Sequence, residues 1–143
     1  MRRLGFAVLA FIAGVVALFA VQITITKIWS LLGITWGREN LPVVATQQLA
    51  ALTTLFAAIF GGSLVAAFVS VRDRWRVLAA MGFLGIVIDG YFMFFKIGEA
   101  LPLWFRVIFV TLIPAATVVA GVISDWLRPY KVGDAHQNEV TEQ

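Results

Sequence analysis

The sequence predicts an all-α integral membrane protein, a four-helix antiparallel bundle with both termini in the cytoplasm, on three observations. Of its 143 residues, 61% are hydrophobic and 13% charged, far outside what a soluble domain keeps in water. Four apolar segments, about Leu4 to Thr26, Val43 to Val71, Val77 to Phe95 and Leu103 to Leu127, each approach the roughly 20 residues that a helix needs to cross about 30 Å of hydrocarbon. Runs such as FAVLAFIAGVVALFAV are apolar on every side, whereas the strands of a membrane barrel alternate apolar and polar residues.

The first segment, 4–26, follows MRR. It reads as a retained helix rather than a cleavable signal, because its apolar run exceeds the roughly 7–15 residues of a signal core and no A-x-A site closes it. The loop from Lys27 to Asn40 carries Ile28, Trp29, Leu32 and Trp36 at helical spacing, which suggests a short amphipathic helix in the membrane interface, broken off by Gly33, Gly37 and Pro42. The second segment, 43–71, carries Thr46, Ala50, Thr54, Ala58, Gly62, Ala66 and Ser70 at every fourth position. Small residues allow the close backbone approach that holds helices together in lipid, so this helix is expected at the centre of the bundle. A four-residue period drifts around a 3.6-residue helix, so one straight partner cannot follow the whole stripe. Helix one repeats the pattern in Ala10, Gly14, Ala17 and Thr24, and helix three, 77–95, offers Gly82 and Gly85. In helix four, 103–127, Pro114 has no N–H and crowds the carbonyl four residues back, which predicts a kink eased by Thr111 and Thr117. Residues 1–128 thus form one membrane domain, and 129–143 read as a polar, disordered cytoplasmic tail.

Orientation follows from the basic residues, since loops rich in Lys and Arg stay on the cytoplasmic side. Arg2, Arg3, Arg72, Arg74, Arg76, Arg128 and Lys131 fall on one side and Lys27, Arg38, Lys96 and Arg106 on the other, which places both termini inside and the protein in the inner membrane. The five tryptophans, Trp29, Trp36, Trp75, Trp104 and Trp126, lie near helix ends, as an aromatic belt requires. Topology and contacts with acidic lipid account for the arginines, so they give no reason to expect nucleic acid as a partner.

One intramembrane carboxylate stands out, Asp89 in GIVIDGYFMFFK. Gly82 and Gly85 precede it by seven and four residues and Lys96 follows by seven, so on an α-helix all four share one face. That face should point into the bundle. A buried carboxylate is costly unless protonated or paired, and Arg106, in the first turn of the returning helix, is the expected partner, with Lys96 second. Gln22, Gln47, Gln48, Arg38, Glu39 and Lys96 gather on the same predicted side and outline a pocket open to the periplasm.

Two uses of these residues are expected from chemistry alone. Either an Asp89–Arg106 pair fixes helix register, with the glutamines hydrogen-bonding between helices, or the pocket takes a polar group or a lipid headgroup, or serves as a protonatable switch built on Asp89. Without cysteine there are no disulfides, thiolate metal sites or thiol nucleophiles, and the one histidine, His136, lies in the tail, so neither a metal nor a cofactor is expected. No nucleophile with a base and no phosphate loop appears. The stretch GRENLP, Gly37 to Pro42, resembles the turn into the second helix of the membrane-associated glutathione-metabolising enzymes. It lacks that family's surrounding basic and asparagine positions and so transfers no residue roles. In layout the chain is similar to the small four-helix DoxX-like proteins, which implies architecture and not activity. The expectation is a non-catalytic accessory or scaffold subunit of a larger membrane complex. The alternative is a self-associating minimal transporter or ligand-binding protein built around Asp89 and Arg106.

Overall fold

The computed structural model describes residues 2–36, 41–70, 73–97 and 100–127, with side chains from residue 5 onward. Among them are four helices long and apolar enough to span a membrane, and no strand. They are α1 (Arg2–Leu31), α2 (Ala45–Val69), α3 (Arg74–Tyr91), which runs directly into a π-helical turn at Phe92–Lys96, and α4 (Leu103–Trp126). The tail 129–143 lies outside the described residues.

Helix α1 is longer than its apolar run suggests. Its 30 residues reach about 45 Å at roughly 1.5 Å per residue, and they absorb Lys27 to Leu31, where a separate interfacial helix was expected. The spacing of Ile28 and Trp29 is that of α1 continuing, because no helix breaker occurs before Gly33. At Gly33 φ is +78°, the left-handed conformation that glycine adopts without strain. The Gly33 N–H donates to the carbonyl of Ser30 at 3.1 Å and the Ile34 N–H to that of Trp29 at 2.9 Å, which together make a Schellman stop. Ile34 to Trp36 then run without helical structure.

Helix α2 begins just after Pro42, and Gln47 ties its start down. The Gln47 amide donates to the Thr35 carbonyl at 3.0 Å, and its Oε1 accepts a long bond from the Val44 N–H at 3.5 Å. Helix α3 starts three residues earlier than its apolar run, since Arg74, Trp75 and Arg76 join it behind the Asp73 carbonyl, which accepts from Arg76 and Val77 at 3.1 Å. Arg74 is ion-paired with Asp125, joining the first turn of α3 to the last turn of α4. Both side chains keep contact with solvent, so the pair contributes modestly.

Helix α2 packs against all three others, most extensively against α1 and then α4, while α1 and α3 touch only sparingly. Ala50, Thr54, Ala58, Gly62, Ala66 and Ser70 are all buried, and Thr46, at the head of the stripe, is exposed. The tightest approach lies between α1 and α2. A Cβ placed on Gly62 would fall 2.6 Å from the Gly14 carbonyl oxygen, and one on Gly14 would fall 2.8 Å from the Ala66 Cβ. The neighbouring face of α2 meets α4, where Ile59 packs with Ile113 and Ala116. Gly82 and Gly85 of α3 lie against Thr117 and Ile113 of α4. Two further clusters close the ends, Ala10, Ala66, Val77 and Met81 at one and Ala51, Met93, Leu101 and Phe105 at the other.

Pro114 lies on the exposed side of an α4 that continues as one helix through it. The two threonines do not take up the carbonyl that the proline frees. Thr111 donates to Val107 and Ile108, and Thr117 to Ile113. Each hydroxyl bonds three or four residues back along its own helix, and neither reaches the Val110 carbonyl, four residues before the proline.

The close approach at Gly62 meets backbone, which cannot rotate away. Gly62→Ala is therefore expected to cost about 1–3 kcal/mol through overpacking. At Gly90 an added Cβ meets nothing within 4 Å, so Gly90→Ala should stay within about 0.5 kcal/mol of the parent. Thermal unfolding of both variants in one detergent reads the difference, and equal midpoints would contradict the α1–α2 contact.

Candidate functional site

Between the four helices lies a partly open cavity of about 250 Å³. Its walls are mostly apolar and include Phe11, Val15, Leu18 and Phe19 of α1, Leu55 and Ile59 of α2, Met81, Leu84 and Ile88 of α3, and Phe109 and Ile113 of α4. Four polar side chains face into it, one from each helix: Gln22, Ser63, Asp89 and Thr117. The cavity follows from the packing. The small residues of α2 draw α1 and α4 close, and α3, which leans chiefly on α4, is left with little contact to α1.

Asp89 is the one charged residue in this lining. Among the described residues the ion pairs are Arg74–Asp125 and Arg76–Asp73, so the expected Asp89–Arg106 pair does not form. The guanidinium carbon of Arg106 sits 5.6 Å from the centroid of the Phe94 ring, within cation–π range, and the Arg106 Nε is buried without a partner. The π-helical turn accounts for this. The Ile97 N–H bonds back five residues, to the Phe92 carbonyl at 2.9 Å, and such a turn inserts an extra residue into the helical repeat. It sets Met93 inward, brings Phe94 to Arg106, and rotates Lys96 off the Asp89 face, where it is exposed.

The expected outer pocket is divided. Gln22 shares the cavity with Asp89. Gln47 serves the first loop and the start of α2, Gln48 is buried, and neither lines the cavity. Arg38 and Glu39 lie outside the described residues. Gly85 lies in the cavity wall beside Asp89, and Gly82 packs behind it on α4. Among the described residues no group of three His, Cys, Asp or Glu could hold a metal ion.

Ser63 was not singled out from the sequence. Its side chain is fully buried, and its Oγ has no hydrogen-bond partner among the described residues. Other hydroxyls in the helices satisfy themselves locally: Thr54 donates to the Ala50 carbonyl at 2.7 Å, Thr117 to Ile113 at 2.9 Å and Ser124 to Gly121 at 2.7 Å. Such back-bonding is the default for a helical hydroxyl in an apolar setting. Ser63 departs from it and faces the cavity that also holds an unpaired carboxylate. A signal was present in the sequence, a serine directly after a Gly-Gly pair in the most tightly packed helix.

No family model, curated protein or solved structure matches the chain.

A buried hydroxyl without a partner costs on the order of 1–3 kcal/mol. Ser63→Ala is therefore expected to raise the unfolding midpoint of the ligand-free protein, against the usual direction for a buried substitution. A lowered midpoint in differential scanning calorimetry would mean that Ser63 bonds elsewhere in the chain.

Proposed function

We propose that this protein is a small-ligand-binding protein of the inner membrane, and that its four helices hold a molecule in the cavity between them. The observation that carries the reading is the pairing, within one cavity, of the unpartnered Ser63 hydroxyl and the unpaired Asp89 carboxylate. Groups left like this in an apolar interior are destabilising on their own, and a bound molecule that hydrogen-bonds them removes that cost. A cavity of about 250 Å³ exceeds the roughly 150 Å³ that takes up benzene and falls just short of the roughly 300–1,000 Å³ of drug-sized sites, which suits a small molecule or a short segment of lipid.

An accessory or scaffold role is the second reading, and it would use a face other than the small-residue stripe. From Ala50 to Ser70 the stripe is buried inside the chain, so it is not left over for a foreign subunit. Binding also asks less of the fold than transport, which needs access from both sides of the membrane. We assign the site no catalytic step.

The contacts of α1 with α2, Ala10 near Ala66 and Val21 near Gly61, support an antiparallel bundle. The basic residues support cytoplasmic termini. On that orientation Asp89, well past the middle of the span Arg74–Lys96, lies in the outer half of the membrane.

Native mass spectrometry of the protein purified in mild detergent is expected to show the chain with a small molecule retained, and Val15→Trp, which fills the cavity, to release it with helicity unchanged. Bare chain in both preparations would sink the proposal, and a stoichiometric foreign protein would return the accessory role to first place. Orientation is read separately. A cysteine placed at Thr35 should react with an impermeant maleimide on intact cells, and one at Arg76 only after lysis. The reverse pattern would invert the topology.

A further inference from the structure

We infer that the ligand of this cavity is a small lipophilic amine in its cationic form, with its ammonium group held at Asp89 and its apolar body against aromatic rings. The inference rests on the reading that the cavity binds a ligand, and adds what chemistry that ligand has. Three observations select it. The first is charge. Among the described residues Asp89 is the sole ionisable side chain lining the cavity; Lys96 is exposed, Arg106 sits over Phe94, and Arg74 and Arg76 pair with Asp125 and Asp73. An anionic or phosphate-bearing ligand would meet a carboxylate and no cation, whereas a cation compensates the one charge present.

The second is the composition of the walls. Phe11, Phe19 and Phe109 come from two different helices, and Met81 adds a polarizable sulfur. Aromatic faces attract cations, more strongly when both are out of water. A neutral apolar molecule would be satisfied by these walls and would leave Asp89 and Ser63 unmatched. The third is the hydroxyl. Among the described residues the fully buried Ser63 Oγ has no partner, and it offers the ligand a hydrogen bond at a second point in the cavity, apart from the charge. The volume, about 250 Å³, admits one ring with a short amine arm more readily than a long acyl chain.

The test uses a matched pair of probes. N,N-dimethylbenzylamine, cationic at pH 7, and isobutylbenzene share one heavy-atom skeleton and differ in a charged nitrogen against a carbon. Equilibrium dialysis of the full chain in phosphatidylcholine nanodiscs, with protein-free discs subtracted, gives both affinities. The amine is expected to bind at least tenfold more tightly than its isostere. Asp89→Asn, a near-isosteric change, should erase that preference while leaving isobutylbenzene within about threefold, and this retained binding shows that the variant still folds around its cavity. Equal binding of the two probes to the parent overturns the cation inference and leaves the binding function standing. Tenfold preference retained in Asp89→Asn also overturns it, since the charge would then be read elsewhere. Binding of neither probe removes both the inference and the function on which it rests.

Discussion

Within hydrocarbon the hydrophobic effect gives helices no reason to prefer one another over lipid, so their association depends on how closely backbones can approach. Here that approach is concentrated at Gly14 and Gly62, where two helices meet with room for hydrogen atoms and nothing larger. The rest of the structure is arranged around this contact. It commits one face of α2 to α1 and turns the next face to α4. Helix α3 is then carried mainly by α4, and the space between α3 and α1 is filled incompletely. The cavity is the geometric remainder beside that tight contact, with Leu18 and Met81 touching both. Its polar residues lie at positions that the packing of α2 could not close.

The number and class of elements were legible in composition and run length, because a segment of some twenty apolar residues has few stable forms in a membrane other than a helix. Boundaries were less so. The residues from Lys27 to Leu31 read as a separate interfacial helix because the polarity changes at Lys27, yet a helix ends where the backbone is interrupted, and the first such place is Gly33. At the head of α3, Arg74 and Arg76 were legible as topology signals and not as helical residues. Polarity says where lipid ends, and hydrogen bonding says where the helix does.

The site was legible in half. A lone aspartate in an apolar helix announces itself, and its face toward the bundle followed from the glycines at minus four and minus seven. Gln22 was also visible as a polar residue at a matching depth. Lys96 was placed on the Asp89 face by carrying α-helical phase through a segment that is not α-helical, and Arg106, expected as the partner from its place in the first turn of α4, sits over Phe94 instead. Nothing in FMFFK marks a π-helical turn, since five apolar and basic residues are compatible with either hydrogen-bond pattern. Ser63 was missed for a different reason. Serine is common in packed membrane helices, and what separates this one is a bond it does not make, which no residue list records.

The π-helical turn at Phe92–Lys96 has a consequence for how the molecule can vary. An inserted residue shifts the angular phase of everything after it by roughly a quarter turn relative to an unbroken helix. The stretch of α3 that carries Asp89 and the stretch that meets Arg106 are therefore mechanically geared at different settings on one rod. A change of side chain beyond the turn alters which surface meets the neighbouring helix at that end and leaves the aim of Asp89 as it was. The turn works as a clutch between the end that packs Met93 against Leu101 and Phe105 and the stretch before it that carries Asp89.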